Sequence, residues 1–167
     1  MSGGCERPTR PDVDEFVRPA TVHDLPELGV LERSYRLAIS STPRGGAQWL
    51  RDAPELGDTG WSERLNDPNA ATYVAGVDGV VLGYASMTVA QRGQSDAVAV
   101  VDGIFVDEGA RELGLGDGLL AALIEQATRL GAGEIESSTL PGDRDTKNLY
   151  ERAGLVARLL TVSKPLT

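Results

Sequence analysis

Apolar positions along this chain change their spacing, and each change marks an element. Strand-like alternation from about Glu15 to Ala20 gives way to Leu28, Leu31, Tyr35 and Ala38, which share one face at helical spacing. Asp24-Leu25-Pro26-Glu27 reads as the start of that helix, with Glu27 as a capping-box carboxylate at the third helical position. Ser40 to Asn69 is broken by Pro43, Gly45, Gly46, Pro54, Gly57, Gly60 and Pro68. It is the least regular stretch, with short helical pieces around Gln48-Trp49-Leu50 and from Trp61 to Leu65.

Alternation resumes in Thr72 to Val77 and Val80 to Val89, joined by Asp78-Gly79, a two-residue hairpin signal that also sets their register. A longer turn at Gln91 to Ser95 leads into the run Ala97 to Val106, completing a meander. The period is helical again from about Glu112 to Leu130, where Leu119, Leu120, Leu123, Ile124, Ala127 and Leu130 form an apolar stripe. Glu134 to Leu140 reads as a strand, Pro141-Gly142-Asp143 as a turn, and about Arg144 to Arg152 as a helix ended by Gly154. Leu155 to Lys164 reads as a last strand that closes the sheet. These elements predict one α/β (α+β) domain over 13–167, a mixed, mostly antiparallel sheet with helices on both faces, behind a flexible tail at 1–12.

The junction before the longest helix carries the most chemistry. Ile104-Phe105-Val106 passes through Arg111-Glu112-Leu113-Gly114-Leu115-Gly116-Asp117-Gly118, a strand, a glycine turn and a helix start. Glycines allow a sharp turn and close approach of a ligand, and the first amides of a helix have no partner within it. Such a turn attracts anions, phosphate above all. It is not a nucleotide P-loop, because no Lys-Ser/Thr pair follows the glycines, nor a dinucleotide fingerprint, because Leu119 stands where a third glycine belongs.

Composition narrows the function further. A formal charge of −9, from 25 acidic and 16 basic residues with no basic cluster, argues against a nucleic-acid partner. Such acidity can steer a cationic substrate, but a solubility surface is the commoner reason for it. No apolar run approaches the roughly 20 residues of a membrane span, and the first dozen residues lack the apolar stretch of a secretory signal, so a cytoplasmic protein without membrane attachment is expected. One cysteine, Cys5, and one histidine, His23, supply neither a disulfide nor a metal ligand set. Cys5 reads as incidental, and His23, at the mouth of the first helix, as a surface residue.

Arg111-Glu112-Leu113-Gly114-Leu115-Gly116 resembles the R/Q-x-x-G-x-G/A signature of the GNAT acetyltransferase superfamily, entered by Ile104-Phe105-Val106. Asn148-Leu149-Tyr150-Glu151-Arg152-Ala153-Gly154-Leu155 is similar to its closing L-Y-E-x-x-G-F helix end. Val17-Arg18-Pro19-Ala20-Thr21 with Asp24-Leu25 resembles its opening strand and helix. The resemblance covers about residues 13 to 165 and implies acetyl-coenzyme A as the acetyl-donor cosubstrate. Its pantetheine arm would pair with the backbone of Ile104, Phe105 and Val106, in the gap left as that strand and the next one splay apart. Its diphosphate would rest on the amides from Arg111 to Gly118, that is Arg111, Glu112, Leu113, Gly114, Leu115, Gly116, Asp117 and Gly118. Asp117 departs from the pattern, since its carboxylate opposes a diphosphate unless it points to solvent.

An aliphatic amine with pKa near ~10.4 is almost wholly protonated at pH 7, and only its neutral form attacks a thioester, so a proton acceptor is needed. The leaving thiolate, with pKa about 8.5, in turn needs a donor, and a tyrosine near ~10 suits it. The resemblance gives Tyr150 that place; by residue type alone it reads as a core aromatic. Asp102, nine residues before Arg111, is the candidate base, directly or through a water, and reads equally as a hydrogen-bonded structural carboxylate. Asp143 stands where many members of the family carry asparagine, and is alternatively a helix cap. Asn148 is either its substitute or an idle surface residue.

The resemblance places acceptor selection in the Ser40 to Asn69 region and the turn near Gln91, with Trp49 and Trp61 as an apolar wall or as core anchors. Two functions follow. One is an N-acetyltransferase acting on a primary amine of a small molecule or peptide by direct attack in a ternary complex. The other is a non-catalytic acyl-coenzyme A-binding module. A homodimer stands among the expectations for either.

Overall fold

The computed structural model describes residues 13–93, 96–164 and 166. The 1–12 tail with Cys5, and Gln94 and Ser95 of the expected turn, lie outside the described residues. Five strands, β1 (Glu15–Pro19), β2 (Ala70–Val77), β3 (Val80–Arg92), β4 (Asp96–Val106) and β5 (Glu134–Ser137), lie side by side in chain order. The first four pair antiparallel, and β5 runs parallel to β4. A parallel neighbour requires a crossover, which the helix α4 (Leu115–Arg129) provides. Asp78 (φ 49°) and Gly79 (φ 80°) make the two-residue turn between β2 and β3, as the hairpin signal predicts.

Each face of the sheet carries its own core. On one, Leu119, Leu120 and Leu123 of α4 are fully buried against Ala75, Ala85, Met87, Ala99 and Val101. The alanines let the helix sit close, and each leucine contributes about 1.5–3 kcal/mol by leaving water. On the other, Leu28 and Leu31 of α1 (Leu25–Ser40) and Trp61 of α3 (Gly57–Asn66) cover Val74 and Tyr84. A short helix α2 (Gly46–Asp52) lies between α1 and α3, and α5 (Arg144–Arg152) follows β5.

Several sequence expectations need correction. The helix after the glycine turn begins at Leu115 and not at Glu112, because Glu108–Leu113 is a 3-10 helix and Gly114 (φ 76°) breaks the path between them. The carboxylate at the start of α1 is Asp24 and not Glu27: it accepts from the Thr21 amide at 2.7 Å and from both Arg18 Nη atoms at 2.8 and 2.7 Å. β3 continues through Arg92, whose side chain pairs with Glu136 of β5. The two short helical pieces expected within Ser40 to Asn69 are present, extended to Gly46–Asp52 and Gly57–Asn66. β5 ends at Ser137 and not at Leu140, and Leu155 to Lys164 forms no strand: after the Leu155 amide bonds to Tyr150 O at 2.9 Å, no hydrogen bond joins residues 156–164 to the rest of the described chain.

Candidate active site

The site grows from one irregularity in β4. Its pairing with β3 steps from Gly103↔Ser86 to Val101↔Met87, so Asp102 is an extra residue opposite none. A bulge of this kind bends the strand and re-aims its side chains. Val101 and Ile104, an odd three residues apart, consequently both reach the α4-side core. Pairing with β5 stops at the same level, Val101↔Ser137. Beyond it, Ile104, Phe105 and Val106 have β3 on one side and, among the described residues, no strand on the other.

The glycine turn stands at the end of that open stretch. Gly114 takes the left-handed conformation that lets the chain turn from the 3-10 helix into α4. The first bond into the helix runs from the Gly118 amide to Gly114 O at 3.1 Å. The amides of Leu115, Gly116 and Asp117 come before it and are the orphan donors of the first turn. Gly118 has a packing reason instead, since a Cβ there would meet Val17 Cγ2 at 3.0 Å. The Asp117 carboxylate turns to α5, where Arg152 holds both its oxygens at 3.0 Å. Arg111 ties the end of β4 to α5, with Nε at 3.4 Å from Val106 O and Nη1 at 3.4 Å from Asp145.

A narrow cleft continues from the splayed strands and is lined by Ile104, Tyr150, Tyr35, Trp49, Leu140 and Asp143, among others. Tyr150 is buried on α5, and its hydroxyl accepts a 2.7 Å hydrogen bond from Ser137 at the end of β5. Burial pushes its phenol up to about 12; the Ser137 bond opposes that shift and the Asp143 charge adds to it. Tyr150 therefore stays protonated at neutral pH. Asp143 caps α5 by accepting from the Thr146 amide at 3.1 Å, and Asn148 is exposed.

Asp102 does not share this cleft lining. It lies on the opposite face, where its Oδ2 accepts from Thr88 at 2.9 Å and forms an ion pair with Arg64 of α3. Arg64 also donates to Ser86 (3.3 Å) and Thr88 (3.0 Å). The other Asp102 oxygen receives no hydrogen bond among the described residues. Deeper on this face, the buried Glu32 accepts from the Leu56 amide (2.8 Å), the Gly57 amide (3.4 Å) and Trp61 Nε1 (2.8 Å), fastening the start of α3 to α1. Trp61 is thus a core anchor, and only Trp49 reaches the cleft. His23 is exposed.

The profile of the acetyltransferase (GNAT) family matches residues 32–155. The chain belongs to that family. Among curated relatives, the aminoglycoside N(6')-acetyltransferase type 1 of Salmonella typhimurium is 28% identical over 96 residues, 55% of this chain. That match spans 66% of the relative's own length. Among solved structures, a tetramutant of a Bacillus halodurans protein superposes with a TM-score of 0.76 at 18% identity, covering 90% of this chain and 99% of the other. The structure of AAC(6')-Iy with a bisubstrate analog gives 0.67 at 22% identity, covering 91% and 99%. Likeness at these identities is a likeness of fold.

Three side chains at the site of this GNAT domain escape the sequence reading. Ser137 sits in a strand-like run with nothing to distinguish it, and only the end of the β4–β5 pairing brings it to Tyr150. Arg64 comes from 38 residues upstream to reach Asp102. Tyr35 lies on the apolar stripe of α1, where periodicity reads it as core, yet it lines the cleft, its phenol raised chiefly by burial. No local signal separates these from ordinary residues.

Proposed function

We propose that the protein transfers the acetyl group of acetyl-coenzyme A to a primary amine of a small molecule or peptide, by direct attack within a ternary complex. The observation that carries this reading is the alignment, along one path, of the open backbone of Ile104 to Val106, the unpaired amides of Leu115 to Asp117 and the Tyr150 hydroxyl. An extended pantetheine fits the first as an added strand and a diphosphate fits the second. The Asp117 pairing with Arg152 removes the repulsion that its position suggested.

In this proposal the amine attacks the thioester carbon and the carbon–sulfur bond breaks. Tyr150, neutral because its phenol is held high, donates the proton that the thiolate takes. Asp102 accepts the amine proton through a water at its free oxygen, since its other oxygen is engaged by Arg64 and Thr88. The net charge of −9 favours a cationic acceptor, and multi-amine sugars of the kind named by the relatives are the first class to try. The cytoplasm, where the donor is abundant, is the proposed location.

The test is acetyl transfer from labelled acetyl-coenzyme A to a panel of aminoglycosides, polyamines, amino acids and peptides. Acetylated amine and free coenzyme A in equal amounts are expected for at least one acceptor. A binding module would take up coenzyme A in calorimetry and release none across the panel.

A further inference from the structure

We propose that Trp49, with Ile39 and Leu140, closes the cleft beside Tyr150 so that the site takes an acetyl group and rejects acyl groups of butyryl length and above. The inference rests on the reading that the thioester sulfur lies at the Tyr150 hydroxyl. With the sulfur there and the amine arriving from the face of Asp102, the acyl tail is the part of the donor left to enter the cleft. The cleft has a cavity volume of about 10 Å³, room for about one water-sized group. A methyl group fills such a space, and butyryl brings two methylenes more.

Rejection by size needs walls that do not yield, and the wall formed by α1 and α2 is tied at three points. Gly46 lets the start of α2 close on the end of α1: a Cβ there would stand 2.2 Å from Ile39 O. The far end of α2 is fastened by Arg36, whose Nη1 donates to Ala53 O at 2.6 Å. Gly45, in the left-handed conformation (φ 86°), packs on Leu140, and a Cβ on it would meet Leu140 Cδ2 at 3.1 Å. Trp49, half-buried, follows these glycines on the first turn of α2. Tyr35 is backed by Tyr84 and Phe105, with ring centroids 6.5 and 6.1 Å away. Ile104 and Tyr150, which complete the lining, are buried in the core of the α4 side. An extra methylene therefore meets fixed atoms, and the strain of overpacking finds no loose loop to relieve it.

The experiment is calorimetry on the full chain with coenzyme A, acetyl-coenzyme A and butyryl-coenzyme A. It is scored as the ratio of butyryl to acetyl Kd within each protein, so that any unfolded fraction cancels. In the wild type butyryl-coenzyme A should bind about 10-fold or more weakly than acetyl-coenzyme A, the order expected of surplus methylenes at a closed pocket. Trp49→Ala should bring the ratio to about one or below, because the tail then gains buried area instead of meeting the indole. Leu140→Ala, which opens the same space from the loop between β5 and α5, should lower the ratio too and carries the test if Trp49→Ala does not fold. A wild-type ratio near one overturns the proposal and needs no variant; a high ratio that neither substitution lowers overturns it equally. If coenzyme A itself fails to bind, the reading of the donor site falls and this one with it, whereas coenzyme A that binds with a flat ratio removes this one alone.

Discussion

The two sides of the β4 bulge are built by different means. On the α4 side, the features proposed to hold a donor are properties of the backbone: a turn that needs Gly114, first-turn amides and an unpaired strand. On the α1–α3 side, order comes from side chains that meet across long stretches of sequence, Glu32 with Leu56, Gly57 and Trp61, and Arg64 with Asp102. Backbone requirements select residue types at fixed spacing and leave a motif. Side-chain meetings select almost nothing locally. A perturbation on the first side should therefore remove binding or turnover without unfolding the protein, and one on the second should cost stability.

The largest effect is expected from Gly116→Glu. A Cβ at residue 116 would make only ordinary contact, 3.5 Å from Leu149, so the fold has room for a side chain. A carboxylate among the first-turn amides would repel a diphosphate, and coenzyme A affinity should fall by about 100-fold or more, while Gly116→Ala keeps the fold. Calorimetry on the folded variant decides it; unchanged affinity would move the diphosphate elsewhere. Next comes Tyr150→Phe, which should lower kcat by about 10- to 1,000-fold and leave coenzyme A affinity near wild type. Unchanged turnover, with chemistry shown to limit the rate, would take the hydroxyl out of the reaction.

Across the bulge, Glu32→Ala leaves three N–H groups without their acceptor, two of them at the start of α3. A loss of about 2–4 kcal/mol is expected from the denaturant midpoint, together with a raised KM for the amine and an unaltered coenzyme A affinity. A stable variant with weakened coenzyme A binding would reverse the division drawn above. Asp102→Asn tests the bulge residue itself, whose side chain faces Arg64 and Thr88. As a proton acceptor its loss depresses kcat/KM most at low pH, where neutral amine is scarce; as a partner of Arg64 alone its loss lowers stability and leaves the pH profile parallel to wild type.

The same division explains what the sequence discloses. The meander, the Asp78-Gly79 hairpin, α5 and the glycine turn follow from local signals, and the structure has them within a few residues. The bulge does not, although one trace of it is legible: Val101 and Ile104 are both apolar at a spacing that breaks the strand period. The helices of the Ser40 to Asn69 region are obscured by their glycines and prolines, because Glu32, far away in sequence, supplies the cap that α3 lacks in its own residues. The last strand misleads for a related reason. Its pattern is a strand pattern, but pairing requires an edge, and periodicity reports only the willingness of the segment to pair.

The smallest effect concerns the root of α1, which belongs to neither side of the site. Asp24 is buried, and the Arg18 guanidinium, more than the Thr21 amide and hydroxyl, holds its carboxyl down from 3.8 to about 2 against the opposing effect of burial. A carboxyl depressed by folding stabilises the protein above its unfolded value. That contribution is fully present above about pH 4 and is lost as pH falls towards 2, where the folded form also takes up the proton. The shift corresponds to about 2 kcal/mol. Asp24→Asn should remove a similar amount at pH 7 and flatten the stability profile between pH 4 and 2, with acetyl transfer at neutral pH unchanged once the variant is folded. Thermal midpoints of both proteins at pH 7, 4 and 2 measure it: curves that stay parallel through that window would mean that the Arg18–Asp24 pair does not hold the strand to the helix.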